Sequence, residues 1–409
     1  MITFLIFIAV LAVLVLSHEF GHFIVARKSG MKVYEFGFGF PPRILGVQWV
    51  KNADGKRKMK LIWGKKKIDD NDVAIDLLEI GAEPPPAESI ASEGTVYSLN
   101  LIPLGGFVQI KGENGEEPGP DSFSAQKAWK RALVLCAGVG MNIILAFILL
   151  TAGLVIGTPQ SVENLPSGVS VADSRIEIIE AMPGTPAAQA GLQGGDIVVG
   201  LDDLKNPTVK QMQEYVDSHK DKEIVVAVKR GNEVLEKKIH PFVFPDTGKG
   251  GLGVSLIEVG LVSYPWYKAV YYGFLMTGFY LKEILLAFYG LIAGLFAGNN
   301  AGANLSGPVG IAVMTGQVAR MGWSYLLNFI ALLSLNLAII NILPIPALDG
   351  GRLLFLLISK IRRKPVTQKY EQLAHTLGFV VLMALVVIIT IKDLGNFKGF
   401  FIDLWNKVI

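Results

Sequence analysis

His18, Glu19 and His22 form an HExxH string. Four residues make about one helical turn, so the two imidazoles project from one helix face and can share a metal ion. The carboxylate between them is placed to take a proton from water on that ion. A bare HExxH recurs by chance, and the bland alternative is a set of polar residues marking a helix end. Its setting here favours chemistry: the string closes an uncharged run, 1–17, and ionisable groups inside a membrane are costly and functional by default. A hydrolytic zinc centre usually takes three protein ligands and keeps one position for water. The chain has one acid between Glu283 and Glu371, Asp349 in NILPIPALDGG. His375 is the other candidate ligand. His219 and His240 fall in a charged region where surface or structural roles fit better. With Cys136 as its only cysteine, the chain can build no internal disulfide or thiolate cluster, so any metal is held by His and carboxylate.

The elements that must position these groups follow from composition. Of 409 residues, 51% are hydrophobic and 18% charged, and mean hydropathy is +0.45; soluble proteins carry about a quarter charged residues. A membrane is the expected solvent, and disorder is excluded. The balance of 38 Lys and Arg against 35 Asp and Glu excludes a strongly basic nucleic-acid binder. Crossing a bilayer takes roughly 20 apolar residues in a helix, whose backbone groups bond internally. Segments 1–17, 132–157 and 321–348 are uncharged, and 372–391 holds His375 alone among ionisable side chains. The first lacks the basic start and small-residue cleavage site of a secretory signal, so it is expected to be retained. Segment 269–297 is apolar except for Lys282 and Glu283 near its middle. Each charge would cost about 2.5–3.5 kcal/mol at mid-bilayer, so one or two helices on the outer membrane surface are expected there, and four spans in all.

Lys and Arg set the sides. Sixteen fall in 27–131 and six in 352–369, placing both segments in the cytoplasm, whereas 158–320, with 13, is long enough to be translocated regardless. The first and third spans then run in the same direction and end at one depth near the cytoplasmic side, which brings Asp349 level with His18 and His22. A fifth crossing would carry Asp349 to the opposite face.

The expected organisation is a membrane helix with HExxH (1–30), a cytoplasmic segment with membrane-associated strands and a charged insertion at 51–92 (31–131), and a second membrane helix (132–157). An extracytoplasmic α+β module (160–245) and interfacial helices with a linker (246–320) follow. A third membrane helix with LDG (321–358), a cytoplasmic loop (359–371), a fourth membrane helix (372–392) and an amphipathic interfacial helix (393–409) complete the chain. In the module, helices are expected at 186–190 and 209–219 and strands at 196–201, 224–229 and 234–239, the last two joined by a turn at Gly231 and Asn232. Segments 33–40 and 96–110 alternate like strands.

Pro344 and Pro346 interrupt the third span just before Asp349 and free backbone groups there. Asn336 and Asn341 lie close by. These amides either bond between helices and to freed carbonyls or hold an unwound substrate backbone, and both readings stay open. Peptide hydrolysis needs an exposed amide, so an extended substrate would pair with a strand edge offered by 36–40 or 101–110.

HEFGH on the first membrane helix and NxxPxPxLDGG at the end of a later one resemble the site-2 protease family of intramembrane zinc metalloproteases. VYEFGFGF resembles that family's membrane-associated hairpin, IPLGGFVQIKGE the strand after its first loop, and LSGPVGIA the segment before its third span. A single module between the second and third spans is similar to the bacterial regulator-of-sigma-E protease group, whose module is a PDZ domain; PGTPAAQAGLQGGDIVVGLDD looks like that module. The family's AGPxxN appears here as AGVGMN, keeping Gly138 and Asn142.

The resemblance implies a polytopic α-helical membrane protein of about four spans, with a membrane-associated β-hairpin or sheet and an inserted α+β PDZ-like domain. It implies Zn2+ on His18, His22 and Asp349, Glu19 as the base, and Asn341, Pro344 and Pro346 near the substrate. The implied reaction is hydrolysis of peptide bonds in or beside transmembrane segments, such as those of anti-sigma factors or signal-peptide remnants. The implied place is the inner (plasma) membrane, multi-pass, with the metal site near the cytoplasmic side and the PDZ-like domain outside. Partners are transmembrane substrates and the lipid bilayer, with a peptide as candidate ligand of the module and no nucleic acid. The module would also hinder substrates that still carry a bulky exterior domain. A zinc-bearing scaffold is the competing class, and Glu19 beside an open coordination position argues against it. A transporter would call for inverted repeats and several broken helices, whereas the sequence has one broken helix and no repeat.

Overall fold

The computed structural model describes residues 2–51, 57–63, 94–113, 117, 119–163, 165–182, 184–220, 222–231, 233–243, 248, 250–297, 307–364 and 366–396. Most of the 51–92 insertion and the amphipathic face expected from Phe397 to Val408 lie outside the described residues. Two compact units divide the chain, Met1–Leu150 with Phe274–Ile409, and Thr151–Gly273.

The first unit opens with α1 (Ile2–Lys28), β1 (Val33–Lys51), β2 (Arg57–Trp63), β3 (Val96–Ile110) and α2 (Ala128–Ile156), whose last turns enter the second unit. The second unit holds β4 (Thr158–Ser161), β5 (Ser170–Ala181), α3 (Pro186–Gln189), β6 (Ile197–Leu201), β7 (Leu204–Lys205) and α4 (Val209–Ser218). It continues with β8 (Ile224–Arg230), β9 (Glu233–Ile239), β10 (Phe242–Val243), β11 (Gly250–Gly251), β12 (Val254–Ser263) and the start of α5 (Trp266–Phe296). The rest of α5, then α6 (Pro308–Met321), α7 (Trp323–Ile342), α8 (Asp349–Arg362) and α9 (Gln368–Asn396) return to the first.

The end of α1 is set by a glycine. Gly30 takes φ +81°, Met31 N–H bonds Ala26 O at 3.0 Å and Gly30 N–H bonds Arg27 O at 3.1 Å, the paired bonds of a Schellman stop. Met31 and Ala26 then share one buried cluster with Val33, Ile110 and Val134, so the turn delivers the chain into β1. β1 and β3 are each long enough to fold back on the other. Residues 33–38 pair with 106–110 on one side and, through 35–40, with 96–102 on the other, while 43–48 pair with 96–100 and 45–51 with β2. Residues 35–38 therefore have partners on both sides and offer no free edge, while Phe40 pairs with Ile102 alone. Residues 106–110 have a strand on one side only, among the described residues. Trp49 opposite Met59, and Leu45 opposite Trp63, put apolar side chains on one face, of which Trp49, Met59 and Trp63 are exposed.

Five helices among the described residues are long and apolar enough to cross a membrane: α1, α2, α5 to Gly294, α7 and α9. α5 is one continuous helix. Its Met276, Tyr280, Leu281 and Ile284 pack against Ala146, Leu150, Ala331 and Leu335, while Lys282 and Glu283 lie exposed, so the charges share the helix without interrupting its packed face. The segment expected as one LDG-bearing helix over 321–358 is two helices, because neither Pro344 nor Pro346 can donate to a ladder and Ala347 turns back at φ +80°. α6 sits at the end where α1 begins and α9 finishes: a Cβ on Gly316 would fall 2.2 Å from Cγ2 of Thr3, and the buried Asp393 carboxylate accepts from Gly307 and Gly310 N–H at 2.9 and 2.7 Å.

In the second unit, β4, β12, β5, β6, β8 and β9 lie in that order, with β7 on β6. The core is apolar, with Ile176, Ile178, Leu201, Ile224, Val226 and Val228 from strands against Met212 and Val216 of α4. Thr208 and Gln211 cap α4 reciprocally. Arg230 donates to both oxygens of the buried Asp196 at 2.7 Å, and this holds the Asp196 carboxyl below its usual range. β12 belongs to this sheet although 246–320 reads as linker and helices. Its alternation is legible only beside β5, with which it pairs from Val254 to Ser263.

Candidate metal centre

The centre is assembled where α1 and α2 touch with almost nothing between them. A Cβ on Gly21 would lie 2.3 Å from Ala137 O, and one on Gly138 would lie 2.4 Å from Nε2 of His22 and 2.7 Å from the His18 ring. Glycine at both positions lets the His-bearing face of α1 approach α2. Asp349 arrives from the other side as the first residue of α8. The α7–α8 break turns tightly enough that a Cβ on Gly350 would meet Leu343 O at 2.1 Å and one on Gly351 would meet Ile345 O at 2.4 Å. Both glycines of LDGG are thus required by the turn that aims the aspartate.

One donor atom from each of His18, His22 and Asp349 lies within 4.8 Å of the others. Oδ2 of Asp349 is 3.0 Å from Nε2 of His18 and 3.3 Å from Nε2 of His22, and the two Nε2 atoms are 3.1 Å apart. A tetrahedral ion with bonds of about 2.0–2.1 Å sets its ligand atoms about 3.3 Å apart, so the triangle fits zinc. Both imidazoles are buried. Nδ1 of His22 donates to Val134 O at 2.8 Å, which leaves the Nε2 lone pair of a neutral ring facing the Asp349 carboxylate. Acceptors facing one another at this range repel unless a cation lies between them.

Around the triangle the Asn residues separate. Nδ2 of Asn341 stands 3.4 Å from both nitrogens of His18. Asn336 donates back to Leu332 O at 2.9 Å, the bland reading of that amide. Asn142, which the sequence flags only through AGVGMN, is fully buried with Nδ2 3.4 Å from Nδ1 of His18 and Oδ1 without a partner. A half-turn of the amide brings Oδ1 to that ring nitrogen, where it accepts Nδ1–H.

A cavity of about 460 Å³ opens beside the triangle. His18, Glu19, His22 and Asp349 line it, together with Val108 of β3, Glu113, Arg352, His375 and Phe379. Asn336, Asn341, Pro344 and Pro346, expected near the substrate, are not in its lining; Pro346 instead turns its carbonyl to α9, 2.4 Å from where a Cβ on Gly378 would be. Gly106 lies over α1, its Cβ direction meeting Cγ of Glu19 and Cγ1 of Val15 at 3.6 Å. Since Cβ directions stand normal to a sheet, α1 covers the face of β3 and not its edge. Arg352 is paired with Glu113. His375, the alternative ligand, stands outside the triangle, its Nδ1 taken by Ala347 N–H at 2.8 Å. Spacing alone gives no signal for Glu113, Arg352 or His375, because each enters the cavity from a different element.

The family model for peptidase family M50 matches residues 6–54 and 70–385. The regulator of sigma-W protease RasP of Bacillus subtilis is 31% identical, covering 96% of this chain and 98% of its own. Zinc metalloproteases RasP of Oceanobacillus iheyensis and Shouchella clausii are 30% and 28% identical, each over 96% of this chain and 99% of their own. Among solved structures, the PDZ domain of the SdrC-like protein Lmo2051 from Listeria monocytogenes aligns at 20% identity over 20% of this chain and 85% of its own, with a TM-score of 0.19.

Proposed function

The chain belongs to peptidase family M50, and from that premise we propose that His18, His22 and Asp349 hold its zinc and that Glu19 is the general base. It is a zinc metalloprotease of intramembrane proteolysis and a membrane protein. The observation that carries the site assignment is the triangle of three electron-pair donors 3.0–3.3 Å apart in a buried setting. Zinc bound there supplies Lewis acidity to a peptide carbonyl and lowers the pKa of water.

The remaining work falls to side chains. Glu19 takes a proton from the attacking water and returns it to the leaving amine. Val134 O fixes the tautomer of His22, and Asn142 Oδ1 does the same for His18, the outer hydrogen bonds that orient metal-binding imidazoles. A substrate strand lies along residues 106–110, the part of the anticipated 101–110 edge that pairs on one side only among the described residues. Val108 brings that strand to the cavity.

In the topology we propose, α1 and α7 run in the same direction from outside to inside, the arrangement that lets His18 and Asp349 meet. α6 lies at the outer ends of α1 and α9, so α5 begins and ends on the outer side and lies along the outer membrane surface against α2 and α7. The metal site is then near the cytoplasmic side of the inner membrane. The 151–273 unit, read as PDZ-like from its sequence, lies outside and hinders substrates with bulky exterior domains.

Glu19→Gln tests the chemistry. The variant loses cleavage of a tethered membrane substrate while bound zinc and expression stay at parental levels. Cleavage at the parental rate removes Glu19 from the reaction.

A further inference from the structure

A second cleft lies on the outside of the first unit and shares no lining residue with the cavity at the metal centre. Ala128, Trp129 and Ala132 of α2 form one wall, and Leu353, Leu357 and Lys360 of α8 belong to the other, around about 300 Å³, the low end of ligand-sized cavities. Leu353, Leu357 and Lys360 follow one face of α8 at helical spacing over about 10 Å. Ala128 and Ala132, one turn apart, carry too little side chain to fill the space between the helices. Trp129 and Leu357 are exposed, so the cleft is open to what surrounds the protein. That surrounding is the edge of a bilayer: the uncharged run of α2 starts at Ala132, directly after Lys127, Lys130 and Arg131, and the amphipathic ring of Trp129 suits the headgroup level.

Charge chooses the occupant. Both walls come from acid-free stretches: 122–162 and 350–370 hold no Asp or Glu, while 350–370 holds six Lys and Arg. Cations beside a membrane helix follow from the insertion bias and alone mark no site. Lys130 donates to Ser29 O at 3.0 Å, and Arg131 lies over the Phe123 ring at 5.0 Å. Lys360 forms no ion pair among the described residues, and it is the one charged residue in the lining. Apolar walls with a single unpaired cation match an amphiphile that has an acyl chain and an anionic head. The chain beyond α9 starts at the other end of α1: Asp393 reaches α6 and α6 reaches Thr3, whereas α2 begins beside Ser29.

We propose that the cleft binds one anionic phospholipid, with an acyl chain between α2 and α8 and its phosphate on the Lys360 ammonium.

The probes are phosphatidylglycerol and phosphatidylcholine carrying the same fluorescent acyl chain, titrated against the full chain in detergent. Phosphatidylglycerol should bind the parent about fivefold tighter than phosphatidylcholine, the worth of one cation beside an anionic lipid. Lys360→Gln should erase that preference and leave phosphatidylcholine unchanged. Lys364→Gln removes the same charge one turn on, outside the lining, and should stay within about twofold of the parent. Ala132→Phe fills the groove and should weaken both lipids about tenfold; its unfolding midpoint is read alongside, with the smaller Ala128→Leu as a second filler.

Equal binding of the two lipids by the parent overturns the proposal. So do equal losses in Lys360→Gln and Lys364→Gln, which assign the effect to diffuse charge, and so does parental binding by a groove-filling variant that melts with the parent. Two other occupants show in the same titrations. Lipid that binds only once Asp69, Asp70, Asp72 and Asp76 are changed to Asn assigns the cleft to that acidic stretch of the chain. A mass that doubles in the parent but not in Ala132→Phe assigns it to a second copy. Either result overturns the proposal.

Discussion

Gly138→Ala adds one methyl group at the contact between α1 and α2. The new carbon would stand 2.4 Å from Nε2 of His22 and 2.7 and 2.8 Å from the His18 ring. Carbon and nitrogen sit comfortably at about 3.5 Å, so the rings must withdraw by about 1 Å. They have no room to do so by sliding the helices closer elsewhere, since Gly21 already lies against Ala137 O. Metal sites tolerate departures of about 0.2 Å in ligand distance, so the shortfall is several times the tolerance. Zinc affinity should fall by at least about 100-fold, the upper end of what outer-shell changes cost, with cleavage falling alongside. Gly140→Ala, two residues along the same helix, meets nothing within 4 Å and should leave both unchanged. The assay is bound zinc after equilibration against graded chelator, read with the cleavage rate on the same preparations. Parental zinc affinity in Gly138→Ala, or equal losses in both variants, refutes the packing account.

The two amides should part company in the same chelator assay: Asn142→Leu lowers zinc affinity about 10–100-fold by freeing the His18 ring, whereas Asn336→Leu, which loses only a bond to its own helix, leaves it unchanged. Equal behaviour would remove Asn142 from the site. In the inserted unit, Arg230 holds the Asp196 carboxyl below its ordinary value, so the pair contributes stability that is fully present above about pH 4 and is lost as pH falls through the lowered value. Hydrogen exchange of β6 and β8 in the full chain should therefore be steady from neutrality down to that range and rise in stronger acid; Asp196→Asn should raise it at neutral pH and flatten the acid response.

The proposed ligands are legible in the sequence, two of them because their spacing is local. His18 and His22 are one turn apart, and Asp349 stands alone in a long stretch without acids. Asn142 was visible only as a retained letter of a motif, since its meaning depends on which ring of α1 lies opposite. His375 was harder still: a lone imidazole at a helix start reads as a candidate ligand until the Ala347 amide is seen to occupy Nδ1. The continuity of α5 was hidden by Lys282 and Glu283, whose charges suggest an interruption on a linear reading but fall on the face away from Leu281 and Ile284. β12 was missed because a strand at the far end of a unit is recognised by its partner, and β5 lies about 80 residues earlier in the chain.

The half-paired strand at residues 106–110 can accept nothing already wound into a helix, because a helix spends its amides on itself. Any polypeptide docked there must first surrender a turn or more of its own structure. Choice among clients would then follow how readily a stretch melts in lipid, more than which side chains it displays. The enzyme would read fragility, and a sturdy neighbour of similar composition would pass untouched.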